Sequence, residues 1–162
     1  MQSSKEVPLK ATKTDPQAMR REGEKAGKGA QLRPIGVIRS TIKKRGEAPK
    51  QGFENSPDAW LEVRPFVAQG LDGLVAGKEI IILTWLHKSR RDVLKVYPRS
   101  DRRRQLTGVF ATRSPDRPNP LGLHRVTLRA MTKTRLRIGP IEVIDGTPVV
   151  DIKPVLSGSE DS

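Results

Sequence analysis

The chain has 162 residues with no cysteine and two histidines, and its 31 Lys and Arg against 18 Asp and Glu give a net charge of +13 and a pI near 10.6. That length fits one domain whose core needs no staple, and the lack of cysteine excludes disulfides, Cys-ligated zinc and cysteine-held iron–sulfur clusters. The excess of positive charge selects polyanions, nucleic acid first, as partners.

Residues 1–30 combine mixed charge, scattered Gly and Pro and almost no large apolar side chains, the composition of a disordered basic tail. Residues 31–158 are expected to form a single domain and 159–162 a short polar end. LRPIGVIRS (32–40) reads as a first strand and 43–55 as a loop carrying Gly46, Pro49 and Gly52. AWLEVRP (59–65) reads as a second strand ended by Pro65, and residues 65–74 as one helical turn closed by Gly70 or Gly73. EIIILTWLH (79–87) is apolar on both faces through Ile80, Ile81, Ile82, Leu83, Trp85 and Leu86. A barrel strand hides only one face, so another segment or another subunit must cover the other, and a homodimer is expected. QLTGVFATR (105–113) reads as another strand. In LHRVTLRAM (123–131), Val126, Leu128 and Ala130 alternate with Arg125, Thr127 and Arg129. RLRI (135–138), PIEVI (140–144) and PVVDIKP (148–154) complete the series. About seven short strands punctuated by Gly and Pro, with no long amphipathic helix, predict an all-β chain closed into a small β-barrel.

The charge is concentrated. HKSRRDVLKVYPRSDRRR (87–104) carries eight basic residues against two acidic ones, a cluster that binds phosphate through counterion release. Arg90, Arg91, Arg102, Arg103 and Arg104 are therefore expected to contact RNA, together with Arg117 of the next loop. That loop, TRSPDRPNPLG (112–122), has Pro115, Pro118 and Pro120 around Arg113, Ser114, Asp116, Arg117 and Asn119. Each proline fixes its own φ and restricts the residue before it, so the polar groups have little entropy left to lose on binding a ligand. No Gly-rich strand-to-helix turn or Walker loop is present, which excludes the common nucleotide folds. No Ser nucleophile elbow is present either. His87 and His124 lack partners at ligand spacing, so no metal is expected. The chain lacks a membrane-length apolar run and a signal-peptide core, and a cytoplasmic protein with no membrane partner is expected.

GVFATRSPDRPNPLGL (108–123) resembles the signature of the TrmO-type (TsaA-like) tRNA methyltransferases, and DGTPVVDIKP (145–154) is similar to their second motif. IGVIRS (35–40) matches the family's first strand, so the resemblance spans residues 32–156. It implies S-adenosyl-L-methionine (SAM) as methyl donor, a small barrel in place of a Rossmann fold, a homodimer, and methylation of N6 on the threonylcarbamoylated adenosine beside the tRNA anticodon. By the same resemblance, cofactor contacts fall on Pro49, Lys50 and Gln51, on His87 and Lys88, on Arg113 and Leu123, and on Asp145, Gly146, Thr147 and Pro148. Arg113 suits the carboxylate of the cofactor, because a planar guanidinium gives paired charge-assisted hydrogen bonds. Asp145 either accepts from ribose hydroxyls or the cofactor amine, or simply forms its Asp-Gly turn. A sulfonium methyl needs alignment more than acid or base help, and no catalytic base is assigned; His87 and Asp151 are the groups able to take the N6 proton. Val155 stands where members often have Tyr, and bacterial members often continue into a C-terminal domain that this sequence lacks. Two other readings fit the same residues: a non-catalytic RNA-binding barrel, and a SAM-dependent methyltransferase with another substrate. Six aromatic residues in all argue against the stacking platforms of single-strand binders.

Overall fold

A computed structural model describes residues 31–49 and 55–156. The expected tail, the polar end and two predicted cofactor contacts, Lys50 and Gln51, lie outside the described residues. The chain divides into units at residues 1–31 and 32–162, and the strands and 3-10 turns of the described residues belong to the second.

Six strands close into an antiparallel barrel: β1 (Gly36–Arg39), β2 (Ala59–Val63), β3 (Glu79–Trp85), β6 (Leu121–Met131), β7 (Arg135–Gly139) and β8 (Pro148–Pro154), in the order β1-β2-β7-β6-β3-β8. Closure follows from period-2 patterning, which gives every strand one apolar face. Ile38, Leu61, Ile80, Ile82, Val126, Leu128, Leu136, Ile138 and Val149 all point inward and are at most 2% exposed. Leu71, from a 3-10 turn over Pro65–Leu71, packs against the same core. At about 25 cal/mol per Å² of apolar surface, each such aliphatic side chain contributes roughly 1.5–3 kcal/mol on burial.

Two predicted strands do not join the barrel. In the 105–113 segment only β5 (Thr107–Gly108) pairs, with β4 (Lys95–Val96), as a separate two-stranded ribbon that runs into a 3-10 turn at Val109–Ala111. Its apolar residues do not share a face: Val109 is fully buried, whereas Leu106 is 44% and Phe110 79% exposed. PIEVI (140–144) is buried at Ile141, Val143 and Ile144 but forms no ladder. Pro140 has no N–H to give to one, and Ile141 N–H instead donates to the Pro57 carbonyl at 3.1 Å.

β3 has the two apolar faces that its sequence requires. Ile80, Ile82 and Thr84 point into the barrel, and Ile81, Leu83 and Trp85 are half-buried on its outside. There Leu83 pairs with Leu123 and Trp85 with Leu121, which are 53% and 43% exposed.

Inside the barrel wall, Thr84 and His124 form a buried polar pair, Oγ1 to Nε2 at 2.9 Å, and His124 Nδ1 lies 3.0 Å from Glu142 Oε1. A carboxylate only accepts, so Nδ1 carries the proton toward Glu142. Burial pushes the Glu142 carboxyl up, but the hydrogen bond and charge of His124 outweigh it and hold the group below the usual carboxylate range. Gly122 makes the arrangement possible, since any Cβ there would collide with Thr84 Oγ1 and His124 Nε2.

Candidate functional site

Three predicted pieces of the site meet at one carboxylate. Asp116 Oδ1, in the middle of the proline loop, accepts from Arg90 N–H at 2.8 Å and from Arg45 Nη2 at 2.9 Å. Arg45 also reaches the Lys88 carbonyl at 3.4 Å, and Arg117 N–H donates to the Arg90 carbonyl at 3.0 Å. Leu86 N–H closes the other end of the loop on the Pro120 carbonyl at 2.8 Å. The loop at 43–49, the chain leaving β3 at 86–91 and the proline loop are thus bound into one body. Ion pairs to a half-buried carboxylate with several donors are worth more than isolated surface pairs.

The DGTP turn joins the same body through the end of β1. Asp145 Oδ2 pairs with Lys43 Nζ at 2.9 Å, and Oδ1 accepts Ser40 N–H at 3.0 Å. The hydrogen bond from Lys43, then that from Ser40 N–H, keep the Asp145 carboxyl ionised well below its ordinary value. Gly146 has φ +77°, a backbone conformation that favours glycine. Thr147 is fully buried with its hydroxyl on the Ile144 carbonyl at 2.6 Å, and its own carbonyl accepts Ile38 N–H at 2.9 Å. Gly146 and Thr147 thus shape the turn, while the Asp145 carboxylate retains open lone pairs beside Lys43. Pro49 is half-buried at the edge of the 43–49 loop, and Pro148 starts β8.

Two groups at this end are ready for a ligand. His87 Nδ1 is buried without a hydrogen-bond partner among the described residues. Desolvation, with help from the Lys88 charge, lowers the His87 pKa, so the ring is neutral at neutral pH. Arg113 is exposed and its guanidinium has no partner among the described residues. A buried polar atom lacking a partner is costly unless something supplies one. Leu123 lies apart, on the outer face of β6 beside Leu83.

The basic residues divide into two kinds. Arg117 is spent on its own loop: Nε donates to the Ser114 carbonyl at 2.7 Å, and Nη2 to the carbonyls of Val109 and Thr112 at 3.0 and 2.5 Å. Nε and Nη2 thus hold the loop, while Nη1 makes no hydrogen bond among the described residues. Arg91 lies over the Trp85 ring at 4.8 Å. Arg90 pairs with Asp92 at 3.0 Å, Arg103 with Asp101 at 2.9 Å and Arg104 with Asp101 at 3.9 Å, all on the surface. Such pairs contribute about 0–1 kcal/mol, so a phosphate can take the place of the carboxylate. Arg102 is exposed and makes no ion pair among the described residues, and Arg102–Arg104 sit where the chain links β4 to β5.

Asp116 and Arg45 were not expected as organisers. Asp116 was visible only as a polar member of a stiff loop, and Arg45 as one of several cations between β1 and β2. Among the described residues no group of three His, Asp or Glu could hold a metal, and no helix is long and apolar enough to cross a membrane.

The model of the tRNA-methyltransferase O N-terminal domain matches residues 37–161. A probable S-adenosyl-L-methionine-binding protein of Methanothermobacter thermautotrophicus is 43% identical over 123 residues, covering 76% of this chain and 88% of that protein. An S-adenosyl-L-methionine-binding protein of Archaeoglobus fulgidus is 41% identical over 122 residues, covering 75% and 86%. The tRNA (adenine(37)-N6)-methyltransferase of Escherichia coli K12 is 37% identical over 139 residues, covering 80% of this chain and 59% of that protein. A solved TrmO structure superposes with a TM-score of 0.67 at 32% identity, over 83% of this chain and 61% of that one. This chain therefore spans about three fifths of the length of the TrmO proteins it matches.

Proposed function

Because the chain belongs to the family of tRNA-methyltransferase O N-terminal domains, we propose that it binds S-adenosyl-L-methionine and methylates tRNA, at N6 of the threonylcarbamoylated adenosine beside the anticodon. The observation that carries this reading is the orphaned His87 Nδ1 on the segment leaving β3, which the Asp116 clamp ties to the 43–49 loop and to the proline loop that carries the exposed Arg113. These residues fit the cofactor: a guanidinium for a carboxylate, an imidazole nitrogen seeking a partner, and an Asp145 carboxylate for hydroxyl or amine donors. Arg113, His87, Lys88, Pro49 and Asp145 would hold it, with Lys50 and Gln51 completing the early loop.

SAM when bound supplies an activated methyl group. What the chain must add is alignment of the acceptor nitrogen and exclusion of water, the terms that convert binding into rate. The Asp116 clamp on Arg45 and Arg90 serves the first by fixing two site segments to each other. Neutral His87 is able to accept a proton, and Asp151 of β8 is the other candidate. The cation cluster at 88–104 attracts the RNA backbone.

The chain is further proposed to act as a cytoplasmic homodimer, with Leu83, Trp85, Leu121 and Leu123 on the outer face of β3 and β6 in the contact. This would place Leu123 beside a partner's site. Leu123→Glu should convert a dimer to a monomer in analytical ultracentrifugation.

The relatives named only as SAM-binding proteins match over most of their own length, which favours a second reading, SAM-dependent methylation of another substrate. Nucleoside mass spectrometry of unmethylated tRNA incubated with protein and SAM separates the two. A gain of one methyl on the threonylcarbamoyladenosine is expected; an unchanged nucleoside profile together with saturable SAM binding in calorimetry would select the second reading. No saturable heat with SAM would leave the non-catalytic RNA-binding barrel.

A further inference from the structure

The outer face formed by β1, β2 and β7, with the adjoining end of β6, carries a frame of arginines that the proposed cofactor site does not use. Trp60 stands at its centre. By register Trp60 lies opposite Arg39 of β1 on one side and Arg137 of β7 on the other. The Arg135 guanidinium sits over its ring at 4.8 Å. Arg39 pairs with Glu62 at 2.8 Å and Arg135 with the same carboxylate at 3.8 Å. Arg137 and Arg129 share Asp58 at 3.1 and 3.7 Å. Four guanidiniums therefore stand on two carboxylates, and their side chains are 45–53% exposed.

Strand pairing alone does not call for this pattern. A surface built for solubility interleaves charges one for one, and two carboxylates cannot engage all the donors of four guanidiniums. The side chains that carry the surplus donors are half exposed and surround an aromatic ring. An open groove of about 490 Å³ is lined by Trp60, Arg137 and Arg39 together with Lys43 and Asp145. Asp145 belongs to the DGTP turn, so the groove leads from the arginine frame to the proposed cofactor end.

We propose that this face is a second RNA-contact surface, on which a single-stranded nucleotide next to the target base stacks on the Trp60–Arg135 pair while Arg39 and Arg137 take its phosphates. The inference rests on the reading of tRNA as substrate. Stacking here needs only one aromatic ring, because guanidinium planes stack on bases as rings do. The low aromatic content of the chain is thus no obstacle. Phosphate is the occupant that the charge selects, since it replaces a shared carboxylate with a full complement of charge-assisted bonds.

The test uses the full chain and a fluorescein-labelled anticodon stem–loop RNA, with an RNA duplex of equal length as control. In a Trp85→Phe background Trp60 is the one tryptophan of the chain, since the sequence has two. Its fluorescence should be quenched by the stem–loop and not by the duplex. Trp60→Leu should weaken stem–loop binding about tenfold, and Trp60→Phe should recover most of the loss. Arg39→Gln with Arg137→Gln should lower the slope of log affinity against log salt by about 1.4, two single-strand phosphate contacts. Absence of quenching together with an unchanged salt slope would overturn the proposal, as would equal quenching by the duplex. Circular dichroism monitors folding; if Trp60→Leu melts, the quenching and the arginine pair decide. A chain that methylates tRNA while these readouts stay flat refutes this face alone. A chain that shows them but transfers no methyl group refutes the methyltransferase and leaves the surface standing, and a chain with no affinity for the stem–loop refutes both.

Discussion

Replacing Thr84 by Val tests whether the polar network in the barrel wall is held by its hydrogen bonds or merely tolerated by its packing. Thr84 is fully buried, and its hydroxyl lies 2.9 Å from Nε2 of His124, whose side chain is 5% exposed. Val keeps the branching and nearly the shape of Thr and replaces its hydroxyl by a methyl group. A side chain that buried is shielded from water, so Nε2 is left with its desolvation penalty, about 1–3 kcal/mol, instead of the roughly 1 kcal/mol net worth of an average hydrogen bond. Taking about 2 kcal/mol and a few degrees per kcal/mol for a folded unit of this size, Tm should fall by roughly 6–10 °C. Urea titration should show a lower midpoint with an unchanged slope, because the surface exposed on unfolding is the same. A Thr84→Val protein within about 0.5 kcal/mol of wild type would refute the reasoning, and would mean that His124 is positioned by Glu142 and the barrel alone.

The same network should be sensitive to acid. The Glu142 carboxyl sits below its usual range, so its contribution is complete above the ordinary carboxylate pKa and drains away as pH falls through the lowered folded-state value. Glu142→Gln should therefore destabilise the protein at neutral pH, and the gap to wild type should narrow below about pH 4; a constant gap in urea titrations across that window would contradict this. Arg113→Ala should weaken SAM binding by about one to two orders of magnitude in calorimetry while leaving Tm unchanged, since the side chain is exposed and touches no described group. Neutralising Arg102, Arg103 and Arg104 together should reduce tRNA affinity and flatten its salt dependence by about two to three contacts; an unchanged slope would remove the segment from the RNA interface. Asp116→Asn should loosen the proline loop, seen as faster amide exchange at Arg90 and a weaker SAM affinity, because the amide replaces a charge-assisted acceptor for Arg45.

The barrel was legible wherever apolar and polar residues alternate. β2, β6 and β7 follow from that pattern to within a residue or two, and β3 follows instead from its continuous apolar run, whose surplus face was visible at Ile81, Leu83 and Trp85. The errors fell where burial does not alternate. In 105–113, Val109 is buried although it lies in a 3-10 turn outside any ladder, and in 140–144, Ile141, Val143 and Ile144 are buried without strand pairing of their own. Hydrophobicity reports that a residue is covered, and says nothing of whether a ladder or a side chain does the covering.

The site was legible in its chain segments and not in its wiring. Proline spacing marks a loop with one shape, but a carboxylate's partners are set by what the fold brings within about 3 Å of it, and no local pattern encodes a contact across 71 residues such as Arg45 with Asp116. The same blindness hid a structural role of Arg117. In sequence it is one more cation beside a basic run, whereas in three dimensions the carbonyls of Val109, Thr112 and Ser114 engage its Nε and Nη2. Counting charge therefore overstates the cations that face a ligand near a tight loop, since open carbonyls there compete for guanidinium donors. Across a flat strand surface the rule reverses: the ladder consumes the backbone acceptors, and arginines such as Arg39 and Arg137 are left with only carboxylates to share. Cations on strands thus keep donors for an incoming phosphate, and cations in tight loops more often build the loop.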